Sequence, residues 1–178
     1  MQETTGSCSH YCKITEHVPL VALSSAQSQQ SKATEATNKV IKMCLDYIIT
    51  FPNRTITCTA YDLLLWVCSD GTYLAENGSK SIECGHYFLS DFVKDVGKAQ
   101  PKINGPAHTL CKILKNIVAS ATECKIASVF ENDQDATIMW RTLIEMSHPQ
   151  PPALVKVDNT IEMILVNDSL KEKNDPKA

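Results

Sequence analysis

The chain has 178 residues, of which 43% are hydrophobic and 21% are charged, as in a globular domain of ordinary size. Its 17 basic and 20 acidic residues give a net charge of −3, so overall charge does not favour a nucleic-acid partner. No apolar run approaches the length of a membrane span, and the N-terminal residues lack the pattern of a signal peptide. We therefore expect an intracellular protein, cytoplasmic or nuclear, that contacts no membrane.

The eight cysteines are scattered along the chain, and several lie inside apolar segments. We interpret them as reduced and mostly buried thiols. The stretch Cys8-Ser9-His10-Tyr11-Cys12, with His17 nearby, has the spacing of half a zinc site. Because no second close pair of cysteine or histidine follows, the sequence favours buried thiols over zinc.

The N-terminal part of the chain is predicted to be helical after a polar tail. Residues 1–17 show no apolar pattern, and we expect no regular structure there. A short helix is indicated over 20–30. A clearer helix begins after Thr34, which is a good N-cap, and ends at Pro52. Its apolar residues form one stripe, which predicts packing against a sheet: Val40, Ile41, Cys44, Leu45 and Ile48.

The apolar period changes to two from Thr55, which predicts a strand that runs to about Ala60. The apolar run 63–67 then predicts a buried strand, which we expect to end and turn at Ser69-Asp70-Gly71. There Asp70 would either open a turn or lie at the edge of the sheet, where a metal ligand is useful. A short strand over 72–75 follows.

The remaining pattern alternates strands with one long helical region. Asn77-Gly78 is a strong hairpin signal, and the next strand contains His86, for which packing is favoured over a ligand role. A further strand is expected over 108–114, and a helix over 118–146 with an interruption at Asn132-Asp133. A short apolar strand at 153–157 then ends at Asp158. Two strands therefore end in aspartate, Asp70 and Asp158, in an α/β or α+β layer fold.

Short blocks spread over residues 18–173 resemble, in order and spacing, the ribonuclease H region of copia-type LTR retrotransposon polyproteins. The blocks are LVALSSAQSQQSKATEAT, CLDYIITFP, SDGTYL, GHYFLSD, NGPAHTLCKILKNIVASATE and LIEMSHPQPPALVKVDN. In the last block, Ser147-His148-Pro149-Gln150-Pro151-Pro152 matches the Gly-His-Pro-Gln-Pro-Pro that divergent members carry before an Asp-Asn strand.

The resemblance implies an α/β fold: an RNase H-like mixed sheet with flanking helices, C-terminally truncated and preceded by a short helical segment. Residues 18–52 would be a helical remnant of the reverse transcriptase tail or connection, and 53–173 the RNase H-like domain. Residues 1–17 have no counterpart and are expected to form an unstructured tail. Residues 174–178 are expected to be a disordered end.

Members of this family cleave the RNA strand of an RNA/DNA hybrid with two divalent ions held by carboxylates. The resemblance therefore implies Mg²⁺ or Mn²⁺ as cofactor and an RNA/DNA hybrid, rather than a small molecule, as partner. Carried over by position, Asp70 matches the first-strand aspartate. Asp158, in Val157-Asp158-Asn159, matches the aspartate of the later strand.

Lys125 stands where the family carries a metal-binding glutamate, the second of a Glu-x-Glu pair on the helix. A lysine about 4 Å from a divalent ion would cost roughly 8 kcal/mol at an effective dielectric near 20. The fourth acidic residue of the family lies beyond the Asp-Asn strand and is not reached before Ala178. We therefore expect weak or lost metal binding and little or no nuclease activity.

Two alternatives stay open at this point. One is an active nuclease in which Glu123, Glu131 or Glu162 replaces the lost ligand, although Glu123 would point about 200° away from Lys125 on a helix. The other is a non-catalytic interaction module derived from the same domain. The sequence does not indicate an oligomeric state.

Overall fold

The computed structural model describes residues 2–59, 61–93 and 101–157. It shows a mixed α/β protein in which helices flank a four-stranded sheet. The helices are α1 (Gln2–Ile14), α2 (Leu20–Ser28), α3 (Glu35–Thr50) and α4 (Ala121–Glu145), with a 3₁₀ turn at Gln30–Lys32. The strands are β1 (Leu64–Glu76), β2 (Lys80–Ser90), β3 (Pro106–Ile113) and β4 (Leu154–Lys156). The predicted α/β class is confirmed, and the arrangement is consistent with an RNase H-like fold.

The sheet has the strand order β3-β2-β1-β4 and is mixed. Strands β1 and β2 form an antiparallel hairpin around Asn77-Gly78, as predicted, and β3 pairs antiparallel with β2. Strand β4 pairs parallel with β1, with Cys68 opposite Lys156. A parallel pair requires a crossover connection. The chain between β1 and β4 runs through β2 and β3, and α4 then crosses back to β4.

Helix α4 covers one face of the sheet and closes the main core. The buried residues of this core are Leu65, Val67, Tyr87 and Ala136. The predicted interruption at Asn132-Asp133 is wrong, because α4 is continuous. Asn132 is fully buried, and its side-chain amide donates to Ser69 Oγ at 2.9 Å and to the Cys84 carbonyl at 3.1 Å. Its Oδ1 accepts from the Tyr87 hydroxyl at 2.7 Å.

The N-terminal helices form a second, smaller core that packs against β3. The expectation of an unstructured tail over 1–17 is wrong, because α1 occupies most of it. Thr5, Cys8 and Cys12 are its buried residues, and both thiols pack against Leu20 and other apolar side chains of α2 and α3. The buried residues of α1 are a threonine and two cysteines. They give no clear hydrophobic periodicity, so the helix is not predicted from the sequence.

Helix α3 begins as predicted. Thr34 is its N-cap, and the side chain of Thr34 accepts a hydrogen bond from the Thr37 backbone N–H at 3.3 Å. The Thr37 hydroxyl in turn accepts from the Thr34 backbone N–H at 3.2 Å. This reciprocal capping satisfies two donors that would otherwise lack partners at the helix start.

Two strand predictions near β1 are wrong. Residues 53–59 form no strand and are mostly exposed, because a period-two pattern becomes a strand only where a neighbouring strand supplies partners. Strand β1 does not end at Ser69-Asp70-Gly71 but continues to Glu76. A Cβ on Gly71 would clash with Ser128 Oγ and lie 3.0 Å from the Cys124 carbonyl. Gly71 therefore serves the close approach of α4 and not a turn.

The segment between α4 and β4 attaches to the start of β1 through the side chain of Gln150. Gln150 Oε1 accepts from the Leu65 backbone N–H at 3.0 Å, and Gln150 Nε2 donates to the Leu63 carbonyl at 2.9 Å. The Trp140 indole N–H donates to the Pro151 carbonyl at 2.7 Å. The glutamine thus makes the two backbone hydrogen bonds that a longer β4 would make.

Some predictions fall on residues that the structure does not describe. These are Asp158, Glu162, the expected helix start at 161–166 and the expected disordered end at 174–178, all of which lie outside the described residues. Within the described ranges, no helix is long and apolar enough to cross a membrane.

Replacing Gly85 with alanine should destabilise the protein. The new Cβ would clash with Asn132 Oδ1 and lie 2.8 Å from Tyr87 Cε2, so the helix or the ring must shift. We expect Gly85→Ala to lower the free energy of unfolding by about 1–3 kcal/mol, measured by chemical denaturation. Gly6→Ala, in a helical position with nothing within 4 Å of the new Cβ, should instead raise it by about 0.5–1 kcal/mol. Equal effects of the two variants would contradict this view of the core.

Gln150→Ala should also destabilise the protein, because the Leu65 N–H and the Leu63 carbonyl would lose their partner. The expected loss is about 1–2 kcal/mol in the same denaturation experiment. Gln134, exposed on α4, provides the matched control, and Gln134→Ala should stay within about 0.5 kcal/mol of the wild type. A Gln150→Ala protein as stable as this control would show that the bridge contributes nothing.

Candidate functional site

Asp70, the first predicted site residue, lies in the middle of β1 opposite Cys84. Its side chain is 56% exposed, and its Oδ1 accepts from the Gly71 backbone N–H at 2.8 Å. The same oxygen lies 3.3 Å from Lys125 Nζ. The carboxylate is therefore held at the surface of the sheet by a backbone donor and by a cation.

Lys125 reaches Asp70 from the N-terminal part of α4. Its side chain is 20% exposed, so the ammonium group is partly shielded from water. The close approach of α4 to β1 at Gly71 places the first turns of the helix beside Asp70. The position at which the family resemblance implies a glutamate is thus adjacent to the first-strand aspartate.

The two glutamates of α4 that were alternatives for the lost ligand, Glu123 and Glu131, are engaged elsewhere. Glu123 lies at the helix N-terminus, where its Oε2 accepts from the Ala119 N–H at 2.6 Å and its own N–H donates to Ser120 Oγ at 3.1 Å. Glu131 Oε2 lies 3.8 Å from Lys112 Nζ. That ammonium group is also 3.1 Å from Glu83, a carboxylate on β2 whose pKa is raised by burial. Neither glutamate is directed to Asp70.

Asp158, the second predicted site residue, lies outside the described residues. The structure describes the chain as far as Val157, and β4 brings Lys156 opposite Cys68 on β1. The convergence of Asp70 and Asp158 therefore stays a prediction.

The described part of the chain contains no group of three or more histidine, cysteine, aspartate or glutamate side chains arranged to hold a metal ion. Cys8 and Cys12 are buried in the small helical core, whereas His10 is exposed. The half zinc pattern in the sequence is thus not brought together. Magnesium or manganese binding stays a prediction.

A cleft of about 440 Å³ lies on the face of the sheet opposite α4. Side chains of this face alternate with those that pack against the helix, and His17, Leu20 and Val21 contribute to the rim. The sheet residues of its lining include Cys68, Asp70, Cys84, His86, Thr109 and Cys111. This cleft is not among the features predicted from the sequence. Its signal in the sequence is a pair of polar or thiol residues at alternate positions in the middle of each strand: Cys68 and Asp70, Cys84 and His86, and Thr109 and Cys111.

His86 lies on β2, and its side chain lines the cleft. Its Nε2 and the Oγ1 of Thr109, which lies opposite it on β3, are buried and find no hydrogen-bond partner among the described residues. Burial, and secondarily the charge of His17, lowers the pKa of His86. The ring packs against Phe88 with centroids 5.4 Å apart, which supports the predicted packing role.

Comparisons with known proteins identify no relative of this chain. Searches against models of protein families, against curated proteins and against solved structures each find no match. The site is therefore interpreted from its own geometry, and the family resemblance of the sequence stays a prediction.

The protein should become less stable as the pH is lowered, because of His86. In the unfolded chain the His86 imidazole takes up a proton near pH 6.5, whereas in the folded chain it does so only at lower pH. Between these two pKa values the unfolded state binds more protons, so acidification favours unfolding. From about pH 7.5 to about pH 5.5, the free energy of unfolding should drop more in the wild type than in His86→Gln.

The pH dependence is measured by urea denaturation at each pH. His108, whose pKa is also lowered by burial, is present in both proteins and cancels in the comparison. A His10→Gln variant, on the exposed face of α1, controls for the loss of an imidazole elsewhere. Equal pH slopes in His86→Gln and His10→Gln would contradict the assignment to His86.

Proposed function

We propose that this chain is an RNase H-like domain of a copia-type retrotransposon polyprotein whose nuclease activity is impaired by Lys125. The observation that carries the proposal is the ion pair between Lys125 Nζ and Asp70 Oδ1, 3.3 Å apart. It sets the two positions that the family resemblance aligns with metal ligands next to each other, with a cation in place of one carboxylate.

The sheet supports the same proposal. Strand β1 carries Asp70 at its centre, α4 crosses the sheet beside it, and β4 returns parallel to β1. This topology brings residues that are far apart in the chain to one place, as a two-metal nuclease requires. The partner would be an RNA/DNA hybrid, and the cofactor Mg²⁺ or Mn²⁺, which prefer carboxylate oxygens.

The charge of Lys125 determines whether a divalent ion can bind at Asp70. An ammonium group at contact distance from Asp70 neutralises the carboxylate and repels a divalent ion. The pair is partly exposed, and such pairs add at most about 1 kcal/mol to stability. Replacing the lysine should therefore leave the fold intact while changing the electrostatics of the site.

The alternative of an active nuclease rescued by another carboxylate receives less support for Glu123 and Glu131, whereas Glu162 lies outside the described residues. Glu123 caps α4, and Glu131 pairs with Lys112, so neither offers an oxygen to an ion at Asp70. A non-catalytic interaction module has the same fold and the same ion pair. The two proposals differ only in whether a chain with glutamate restored at position 125 cleaves RNA.

Lys125→Glu should create a divalent-ion site and cleavage of the RNA strand of a labelled RNA/DNA hybrid in Mn²⁺ or Mg²⁺. We expect no cleavage by the wild type. We expect Mn²⁺ affinity to rise by about tenfold or more in Lys125→Glu, measured by calorimetry, because a cation becomes a carboxylate beside Asp70. Cleavage by the wild-type chain would overturn the proposed impairment.

Three control variants separate the causes. Lys115→Glu makes the same charge change at an exposed lysine and should stay inactive and weak in Mn²⁺ binding. Lys125→Gln removes the cation without adding a negative charge and should gain less affinity than Lys125→Glu. Asp70→Asn in the Lys125→Glu background should abolish any cleavage, which excludes a contaminating nuclease. A Lys125→Glu chain that binds Mn²⁺ but cleaves nothing would favour either the interaction module or an impaired nuclease that also lacks the fourth carboxylate implied by the family resemblance.

A further inference from the structure

Two thiols face each other across the cleft wall. Cys84 on β2 lies directly opposite Cys111 on β3 in the antiparallel register. Their sulfur atoms are 3.5 Å apart, and the Cys84 thiol donates to Cys111. Both side chains are partly exposed and line the cleft, so a small oxidant in solution reaches them.

We propose that Cys84 and Cys111 are a redox-modification site that forms a reversible disulfide between β2 and β3. Directly opposite residues of an antiparallel pair have Cα atoms about 4.5–5.5 Å apart. That separation falls inside the range of about 4.4–6.8 Å found for disulfides. Closing the sulfur distance from 3.5 Å to bonding distance therefore needs side-chain rotation and no movement of the strands. This inference rests on the register and is independent of the proposed nuclease relationship.

The hydrogen bonds around the pair favour Cys111 as the attacking sulfur. Hydrogen bonds from Cys84, and also from Ser24 of α2, lower the pKa of Cys111 against the opposing effect of burial. The hydrogen bond to Cys111, together with burial, raises the pKa of Cys84. Burial also raises the pKa of Cys68, and that of Cys12 to about 11. The thiolate is the reactive form of cysteine, so Cys111 is favoured over these neighbours.

Hydrogen peroxide supplies the oxidising equivalents in the simplest version of the reaction. The Cys111 thiolate attacks one peroxide oxygen, the O–O bond breaks, and the hydroxide that leaves takes up a proton to become water. Cys84 then attacks the sulfur of the Cys111 sulfenic acid. The S–O bond breaks, and a second water leaves with the Cys84 proton. Two thiols and one peroxide thus give one disulfide and two waters, and a small dithiol reverses the change.

The first test maps the disulfide in the full, unmodified chain. The reduced protein is treated with a small excess of hydrogen peroxide, alkylated with N-ethylmaleimide, digested and analysed by mass spectrometry. We expect one linked pair of peptides, containing Cys84 and Cys111, and alkylation of the other six cysteines. A linkage within the Cys8, Cys12 and Cys44 cluster, or earlier oxidation of the exposed Cys58, would overturn the proposal. This test needs no variant to fold.

The second test assigns the order of attack with a sulfenic-acid trap, dimedone. In Cys84→Ser, Cys111 has no partner sulfur and should be trapped as the dimedone adduct. In Cys111→Ser, Cys84 should be trapped more slowly, because burial still raises the pKa of the Cys84 thiol once its hydrogen bond to Cys111 is gone, and less thiolate is present. Cys58→Ser, the same change at an exposed thiol, should keep the Cys84–Cys111 link. Equal or reversed trapping rates would overturn Cys111 as the attacking sulfur.

Discussion

The buried amide of Asn132 is the interaction on which the geometry of this protein depends. It joins α4 to the Ser69 hydroxyl of β1 and to the Cys84 carbonyl and Tyr87 hydroxyl of β2. An amide that must satisfy three partners in a core fixes both the rotation and the height of its helix. Lys125 lies seven residues earlier, two turns along the same face, so its position beside Asp70 follows from this anchor.

Under the proposed function, one charge on that anchored helix decides between two kinds of chemistry. With a carboxylate at position 125, the approach of α4 to β1 would assemble oxygen ligands around a divalent ion. With Lys125, the same approach forms an ion pair with Asp70. The scaffold does not have to change between the two, because packing at Gly71 and Gly85 sets the distance. A change of charge at position 125 and retention of the fold are therefore compatible in this chain.

The sequence predicts local features well where a residue acts on its own neighbours. Thr34 caps α3 and Asn77-Gly78 closes the hairpin, as expected. It fails where a distant partner decides. Gly71 resembles a turn residue but makes room for α4, and Asn132 resembles a helix breaker but satisfies two strands. The site was predictable only in part: Asp70 and Lys125 are neighbours, whereas the cleft depends on a strand register that no single segment encodes.

The Gln150 bridge has a consequence for local opening of the fold. The Leu65 N–H lies within a core strand, yet its partner is a side chain from a segment without regular structure. That amide is shielded from solvent exchange only while the segment after α4 stays docked. Hydrogen exchange at Leu65 would therefore follow detachment of this segment, while β1 amides that pair with β2 would follow opening of the sheet. A single amide thus reports separately on how firmly the end of α4 is held.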